Sequence, residues 1–231
     1  MKTEQSTVVL IYKTGGDFHF CDVSLLAARL QETWKGSRPL RILCFSDVAP
    51  QEVLELKNLT VMAMPHVWPG WWAKMNLFSP QLKQYRPFLY LDLDTAVIDN
   101  IQGVIPENDE TKFITLADFY KPTRLASGVM WIPENENMDK IWDNWIKNPN
   151  SHMAQNRGDQ DFIEKQIRAD EFWQNRTDQI GTFKPKIGWL KERPKALSIV
   201  CFHGFPRISK AATMVAWVRE YVLGILTHDE E

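Results

Sequence analysis

The sequence predicts an α/β fold, a mostly parallel sheet with helices on both faces, and three observations lead there. The first is the order of elements, β-α-β-α-β, before residue 65. The second is that the strand candidates are apolar runs of the kind buried strands carry. The third is size: 231 residues, 44% of them hydrophobic, suffice for one sizeable core. No repeat, low-complexity linker or composition break divides the chain, so a single domain is expected, with a core over about 8–210 and a helical C-terminal segment over 211–231.

Residues 8–12 are a β-branched run, followed by the Gly15-Gly16 turn and a Leu/Ala-rich stretch at 23–34 with helical spacing. Residues 40–45 are a second buried-strand candidate ending at Ser46 and Asp47, 50–56 suit a short helix, and 59–64 a third strand. The apolar run at 88–91 leads into Asp92-Leu93-Asp94. Further strands are expected at 113–117, 128–132 and 199–202, and helices at 137–146 and 160–167. In sheets of this kind ligands bind beyond the carboxyl ends of the strands, and residues 14–17, Ser46-Asp47 and Asp92-Asp94 all fall on that rim.

Twenty-seven basic against 29 acidic residues, a net charge of −2, give no general electrostatic case for nucleic acid or an anionic membrane. Cys21, Cys44 and Cys201 are odd in number, widely spaced and set in apolar sequence, which favours reduced core thiols and a cytoplasmic protein. The N-terminal apolar stretch is too short for a signal peptide or a membrane span, leaving peripheral contact as the membrane association still open.

The most informative segment is Tyr90-Leu91-Asp92-Leu93-Asp94-Thr95-Ala96-Val97. Side chains alternate across a strand, so Asp92 and Asp94 are expected on one side, spaced to grip one hard divalent ion, Mn²⁺ or Mg²⁺, that completes its sphere with water and phosphate oxygens. A structural turn would also explain the pair. Gly15-Gly16 can cradle a phosphate or simply turn the chain; it matches neither a dinucleotide fingerprint nor a P-loop. In Trp68-Pro69-Gly70-Trp71-Trp72-Ala73-Lys74 the aromatics can be core or a sugar platform, and Lys74 can pair with phosphate. His203-Gly204-Phe205-Pro206-Arg207 follows a strand, so His203 can be structural or a third metal ligand, with Arg207 neutralising phosphate charge. Gly158-Asp159-Gln160-Asp161 is either a polar cluster of the site or a helix N-terminus, where acids are favoured.

Taken in order, these segments resemble the GT-A nucleotide-sugar-dependent glycosyltransferases, most closely retaining family 8, which includes glycogenin and bacterial lipopolysaccharide galactosyl- and glucosyltransferases. The resemblance covers most of the chain, from Val8 to about Lys210. It implies a Rossmann-like sheet, a metal held by Asp92, Asp94 and His203, and a UDP-sugar donor contacted by Thr14, Gly15, Asp47, Lys74, Asp92, Leu93, Ser127, Gly128, Gly204 and Arg207. Asp159, Gln160 and Lys74 are placed at the reacting centre, with a glycan, lipid-linked or protein acceptor and retention at the anomeric carbon. Ala126 stands where the family usually has Asn before Ser127-Gly128, and Arg207-Ile208-Ser209 where it has Lys-Pro-Trp. Retention leaves two routes open, a nucleophile such as Asp159 or Gln160, or front-face attack by the acceptor. Among competing readings, a haloacid-dehalogenase-type phosphohydrolase places Thr or Val where Ala96 stands, and a nucleotidyltransferase needs a glycine-rich, Lys-bearing loop that Gly15-Gly16 does not supply. A non-catalytic sugar-nucleotide binder fits the departures at Ala126 and Ile208-Ser209.

Overall fold

A computed structural model describes residues 5–48, 58–106, 111–185 and 188–224. Within them the chain builds two sheets. The larger, in the order β3-β2-β1-β4-β7-β6-β8, uses β1 (Ser6–Tyr12), β2 (Leu40–Ser46), β3 (Leu59–Ala63), β4 (Phe88–Leu91), β6 (Ile114–Ala117), β7 (Leu125–Ile132) and β8 (Glu171–Phe172). β1, β2, β3 and β4 run parallel; β7 reverses direction against both β4 and β6, and β8 is again parallel to β6. The smaller sheet sets β10 (Ile199–Cys201) between β5 (Thr95–Val97) and β9 (Ile180–Thr182).

β1 shows why the sheet is covered twice. Val8, Leu10 and Tyr12 point to one face, where they meet Val23, Leu26 and Leu30 of α1 (Phe20–Thr33). Val9 and Ile11 point to the other, against Phe78, Phe88 and Tyr90. All seven residues of β1 are buried, so its apolar run reports burial on both faces. α1 starts where the Asp22 carboxylate accepts from the His19 backbone N–H at 2.7 Å, a local cap for an otherwise unpaired donor.

On the second face an aromatic stack fastens a nine-residue 3₁₀ segment, Gly70–Phe78, to α3 (Glu136–Trp145). Trp72 stacks on Trp145 with centroids 5.2 Å apart, and Trp68 meets Trp145 edge-on at the same distance. Trp145 is fully buried, and Trp145→Ala costs about 3–5 kcal/mol through lost burial and the cavity left behind. Beyond the short helix α2 (Pro80–Lys83), Arg86 closes the far end of the segment, donating to the Phe78 carbonyl at 2.7 Å and to Asp139 of α3 at 2.8 Å. α5 (Asp159–Gln166) lies beyond α4 (Pro149–Gln155). It is registered on β7 by Glu164, which accepts from the Leu125 backbone N–H at 3.1 Å and pairs with Arg124. The helices α6 (Ile208–Ala212) and α7 (Ala216–Leu223) cover the smaller sheet through Phe202, Trp217 and Tyr221.

Several sequence expectations need correction. β7 begins at Leu125 rather than 128, because Ala126 and Ser127 are too small and polar to continue the apolar run visibly. The alternation that would put Asp92 and Asp94 on one strand side stops at Leu91, and residues 92–95 turn, with the Thr95 N–H donating to the Asp92 carbonyl at 3.1 Å. Cys21 is exposed on the first turn of α1, whereas Cys44 and Cys201 are buried as expected. The short helix expected at 50–56 lies outside the described residues.

Candidate active site

The rim of the sheet opens between β1 and β4. From β1 the chain crosses to β2 on one side, while β4 pairs with β1 on the other, so the loops after β1 and β4 part and leave a crevice. The crevice is an open cavity of about 470 Å³. The turn after β4 carries the chain directly into β5, which pairs with β10, and the Phe202 N–H donates to the Asp94 carbonyl at 2.8 Å. Residues separated by a hundred positions thus meet because the smaller sheet begins where the larger one ends.

Lys74 lies at the centre. Its ammonium donates to Asp92 Oδ2 at 2.8 Å and to Ser127 Oγ at 3.3 Å, and lies 3.5 Å from Asp159 Oδ2. Ser127 in turn donates to Asp159 Oδ2 at 2.6 Å, and the Tyr90 hydroxyl to Asp92 Oδ1 at 2.5 Å. Burial acts to lower the Lys74 pKa, but Asp159 and Asp92 outweigh it and hold the ammonium above its ordinary range. Burial pushes the Asp159 carboxyl up, against the pull of Lys74 and Ser127. Across the turn Arg207 pairs with Asp94 and, at 3.1 Å, with Asp17 of the loop after β1. Burial, reinforced by Asp92, raises the Asp94 carboxyl in spite of Arg207 and Lys74.

His203 stands beside this pair, stacked on Phe119 at 5.3 Å and met edge-on by Tyr120. Its Nε2 shares a 2.7 Å hydrogen bond with Thr182 Oγ1. Burial, followed by the charge of Lys184, pulls its pKa down to about 4, so the ring is neutral at physiological pH. Lys184 donates to the carbonyls of His203 and Phe205 and so fixes the turn that carries Gly204, which has a φ of +68°.

Of the residues expected from the sequence, Lys74, Asp92, Leu93, Asp94, Ser127, Gly128, Asp159, Gln160, His203, Gly204 and Arg207 line the cavity. Thr14, Gly15 and Asp47 do not: the Asp47 carboxylate takes the Thr14 backbone N–H at 2.9 Å, its hydroxyl at 2.5 Å and the Lys13 ammonium at 2.8 Å. These residues brace the loop after β1, and Gly16 and Asp17 face the cavity in their place. Sequence reasoning passed over Tyr90, Asp118, Phe119 and Tyr120. The last three follow the strand end at Ala117, the same rim signal that marked Asp47.

The donor chemistry suits a divalent ion. Asp17, Asp92, Asp94, Asp118 and Asp159 line the cavity against Lys13, Lys74 and Arg207, so it is short of positive charge. The neutral His203 ring adds a nitrogen ligand type such ions accept. The expected set is not gathered, however. Among the described residues no three His, Cys, Asp or Glu side chains form a group able to hold an ion. Lys74 and Arg207 engage Asp92 and Asp94, and Thr182 engages His203, so an ion must exchange those bonds for its own.

Fold and rim together define a class: the chain has the fold of the GT-A glycosyltransferases. It is similar to the galactosyltransferase LgtC in complex with donor and acceptor sugar analogs (TM-score 0.65, 11% identity, covering 97% of this chain and 98% of that one). It is also similar to the glycosyltransferase GlyE of Streptococcus pneumoniae (TM-score 0.67, 14% identity, covering 97% and 61%). A third likeness is to mouse xyloside xylosyltransferase 1 (TM-score 0.52, 11% identity, covering 86% and 98%). No family profile and no curated protein sequence matches the chain. Among the described residues no helix is long and apolar enough to cross a membrane.

Proposed function

We propose that the chain is a glycosyltransferase that moves a hexose from a nucleoside diphosphate sugar, a UDP-sugar in the first instance, to an acceptor hydroxyl with retention. The observation that carries this reading is the Lys74 ammonium held between Asp92 and Asp159 at the floor of the rim cavity, with Arg207 opposite. In the reaction the bond from the anomeric carbon to the phosphate oxygen breaks and its electron pair leaves with the diphosphate. The acceptor oxygen bonds to the same carbon, and its proton passes to the departing phosphate. Lys74 and Arg207 supply preorganised positive charge where negative charge grows, the usual source of the largest electrostatic gain. Asp159 is occupied by Ser127 and Lys74, and in this reading it positions the ammonium while front-face attack gives retention. Gln160, next along α5, lines the same cavity, and in this reading it contacts the donor sugar near the reacting carbon.

Asp92, Asp94 and His203 would hold a Mn²⁺ or Mg²⁺ once released from Lys74, Arg207 and Thr182, and the ion would supply Lewis-acid neutralisation of the diphosphate. The surplus of aspartates over lysines and arginine in the cavity lining supports that assignment.

The test is donor hydrolysis. The protein is incubated with Mn²⁺ and each common nucleotide sugar without acceptor, and slow release of nucleoside diphosphate is followed. Release from one donor, lost in Asp94→Asn, is the expected result. Binding without release from any donor, or on addition of a sugar-acceptor panel, marks a non-catalytic binder, and absence of binding overturns the reading.

A further inference from the structure

Beside the cations that the reading above gives to the donor, the cavity has a second, aromatic side, and the inference drawn from it rests on that reading. Of the three tryptophans at 68–72, two are consumed by packing. Trp72 is 7% exposed, and Trp68 lies between His66, stacked at 4.9 Å, and Trp145. Trp71 is different: it is 57% exposed and lines the cavity, and among the described residues it has no ring contact with another aromatic side chain.

Its indole is nevertheless seated. A methyl-sized group at Gly158 would stand 3.2 Å from Trp71 Nε1 and 3.5 Å from Cδ1. Gly158 has an extended backbone, with φ −177° and ψ 180°, that any residue adopts, so the local reason for glycine is the space the indole takes. The ring lies against the backbone that opens α5, beside Asp159 and Gln160 in sequence, and its exposed surface faces cavity and solvent. A fixed aromatic face bordered by a carboxylate and a carboxamide is the chemistry that recognises a pyranose, whose axial C–H groups stack on the ring while its hydroxyls reach polar groups at the edge. The cations that suit a diphosphate, Lys74 and Arg207, lie deeper, at the turn after β4.

We infer that Trp71 is the acceptor platform and that the acceptor is a sugar, the terminal pyranose of a glycan, rather than a protein hydroxyl or a bare lipid. The experiment uses the full chain with saturating UDP and Mn²⁺. Methyl glycosides of glucose, galactose, mannose and N-acetylglucosamine, and lactose, are titrated while tryptophan fluorescence is followed, in parallel with calorimetry of UDP binding and of glycoside binding, the latter giving the sugar affinity of variants that lack the Trp71 reporter.

One glycoside is expected to give a saturable fluorescence change. Trp71→Ala weakens that sugar about tenfold, the order of one aromatic stacking contact, and Trp71→Phe retains most of it. UDP affinity stays within about twofold in both variants, which also reports an intact fold. The inference is overturned if no glycoside changes the fluorescence of UDP-loaded protein, or if Trp71→Ala keeps the sugar affinity. A tenfold loss of UDP affinity in Trp71→Ala also overturns it, because the indole is then a nucleobase platform. Failure of the parent protein to bind UDP at all removes the donor reading first, and this inference with it.

Discussion

Removing the charge of Lys74 tests the centre of the site. Lys74→Met keeps length and apolar volume and deletes the ammonium 2.8 Å from Asp92 and 3.5 Å from Asp159, whose side chains are 23% and 7% exposed. Breaking one partner out of a buried ion cluster leaves uncompensated charge and costs about 3–5 kcal/mol. The lower end applies here, because Asp92 reaches solvent. In a domain of this size about 3 kcal/mol lowers Tm by roughly 10 °C. The loss is constant over the physiological range: the Lys74 pKa is raised from 10.5, so its stabilisation is complete below 10.5 and fades only as pH climbs above that toward the folded-state value. Circular-dichroism melts at neutral pH measure it. The double variant Lys74→Met/Asp159→Asn is expected to recover much of the loss, since the second change removes the more buried orphaned charge. With donor present, kcat should fall further than donor affinity, because the charge the ammonium meets grows in the transition state. A single variant that melts with the parent, or a double variant no more stable than the single, refutes the account of Lys74 as the counter-charge of the buried Asp159 and the partly exposed Asp92.

Further outcomes follow from the same geometry. Asp94→Asn should reduce the affinity gained by UDP on adding Mn²⁺ by at least about tenfold while leaving the melt close to the parent's, read by calorimetry with Mn²⁺ and with EDTA. Arg207→Ala should lower kcat by about 10- to 100-fold, the worth of a hydrogen bond to a charged group, and an equal fall in donor affinity and turnover marks it instead as a ground-state binder. His203 is held down at about 4 from 6.5, so protonation of the unfolded chain should erode stability as pH falls from 6.5 toward 4. His203→Gln should flatten that part of a Tm–pH curve, and an unchanged slope assigns the acid lability to other groups.

In the parallel half of the larger sheet β1, β2 and β4 were legible because they are buried on both faces and therefore read as largely unbroken apolar runs, whereas the partly exposed β3 was read from its β-branched and apolar residues alone. The smaller sheet was harder to read: β10 was expected at 199–202, but β5 and β9 are three residues each, too short for a period to show. That difference limited the reading of the site as well. Asp92 and Asp94 announce themselves by local sequence, as does Lys74, but the pairing of Arg207 with Asp94 depends on β10 lying beside β5, a contact across more than a hundred residues. Asp47 is the opposite case. It sits at a strand end where ligand contacts are common, yet its carboxylate is saturated by Lys13 and Thr14, and sequence position alone does not reveal which acceptors are already taken.

The tryptophan stack beneath Gly70–Phe78 also determines when the order around Lys74 is acquired. A 3₁₀ run of nine residues is a poor structure by itself, since its hydrogen-bond geometry is weak beyond three or four residues. Here Trp72 on Trp145, Asn76 clasping the His66 backbone at 2.8 and 3.0 Å, and Arg86 on the Phe78 carbonyl hold it from three sides. The conformational entropy of that loop is therefore lost during folding and not again when substrate arrives. A change such as Trp145→Phe, well away from the cavity, returns part of that freedom, and a displacement of the ammonium by about an ångström is enough to cost a large factor in rate.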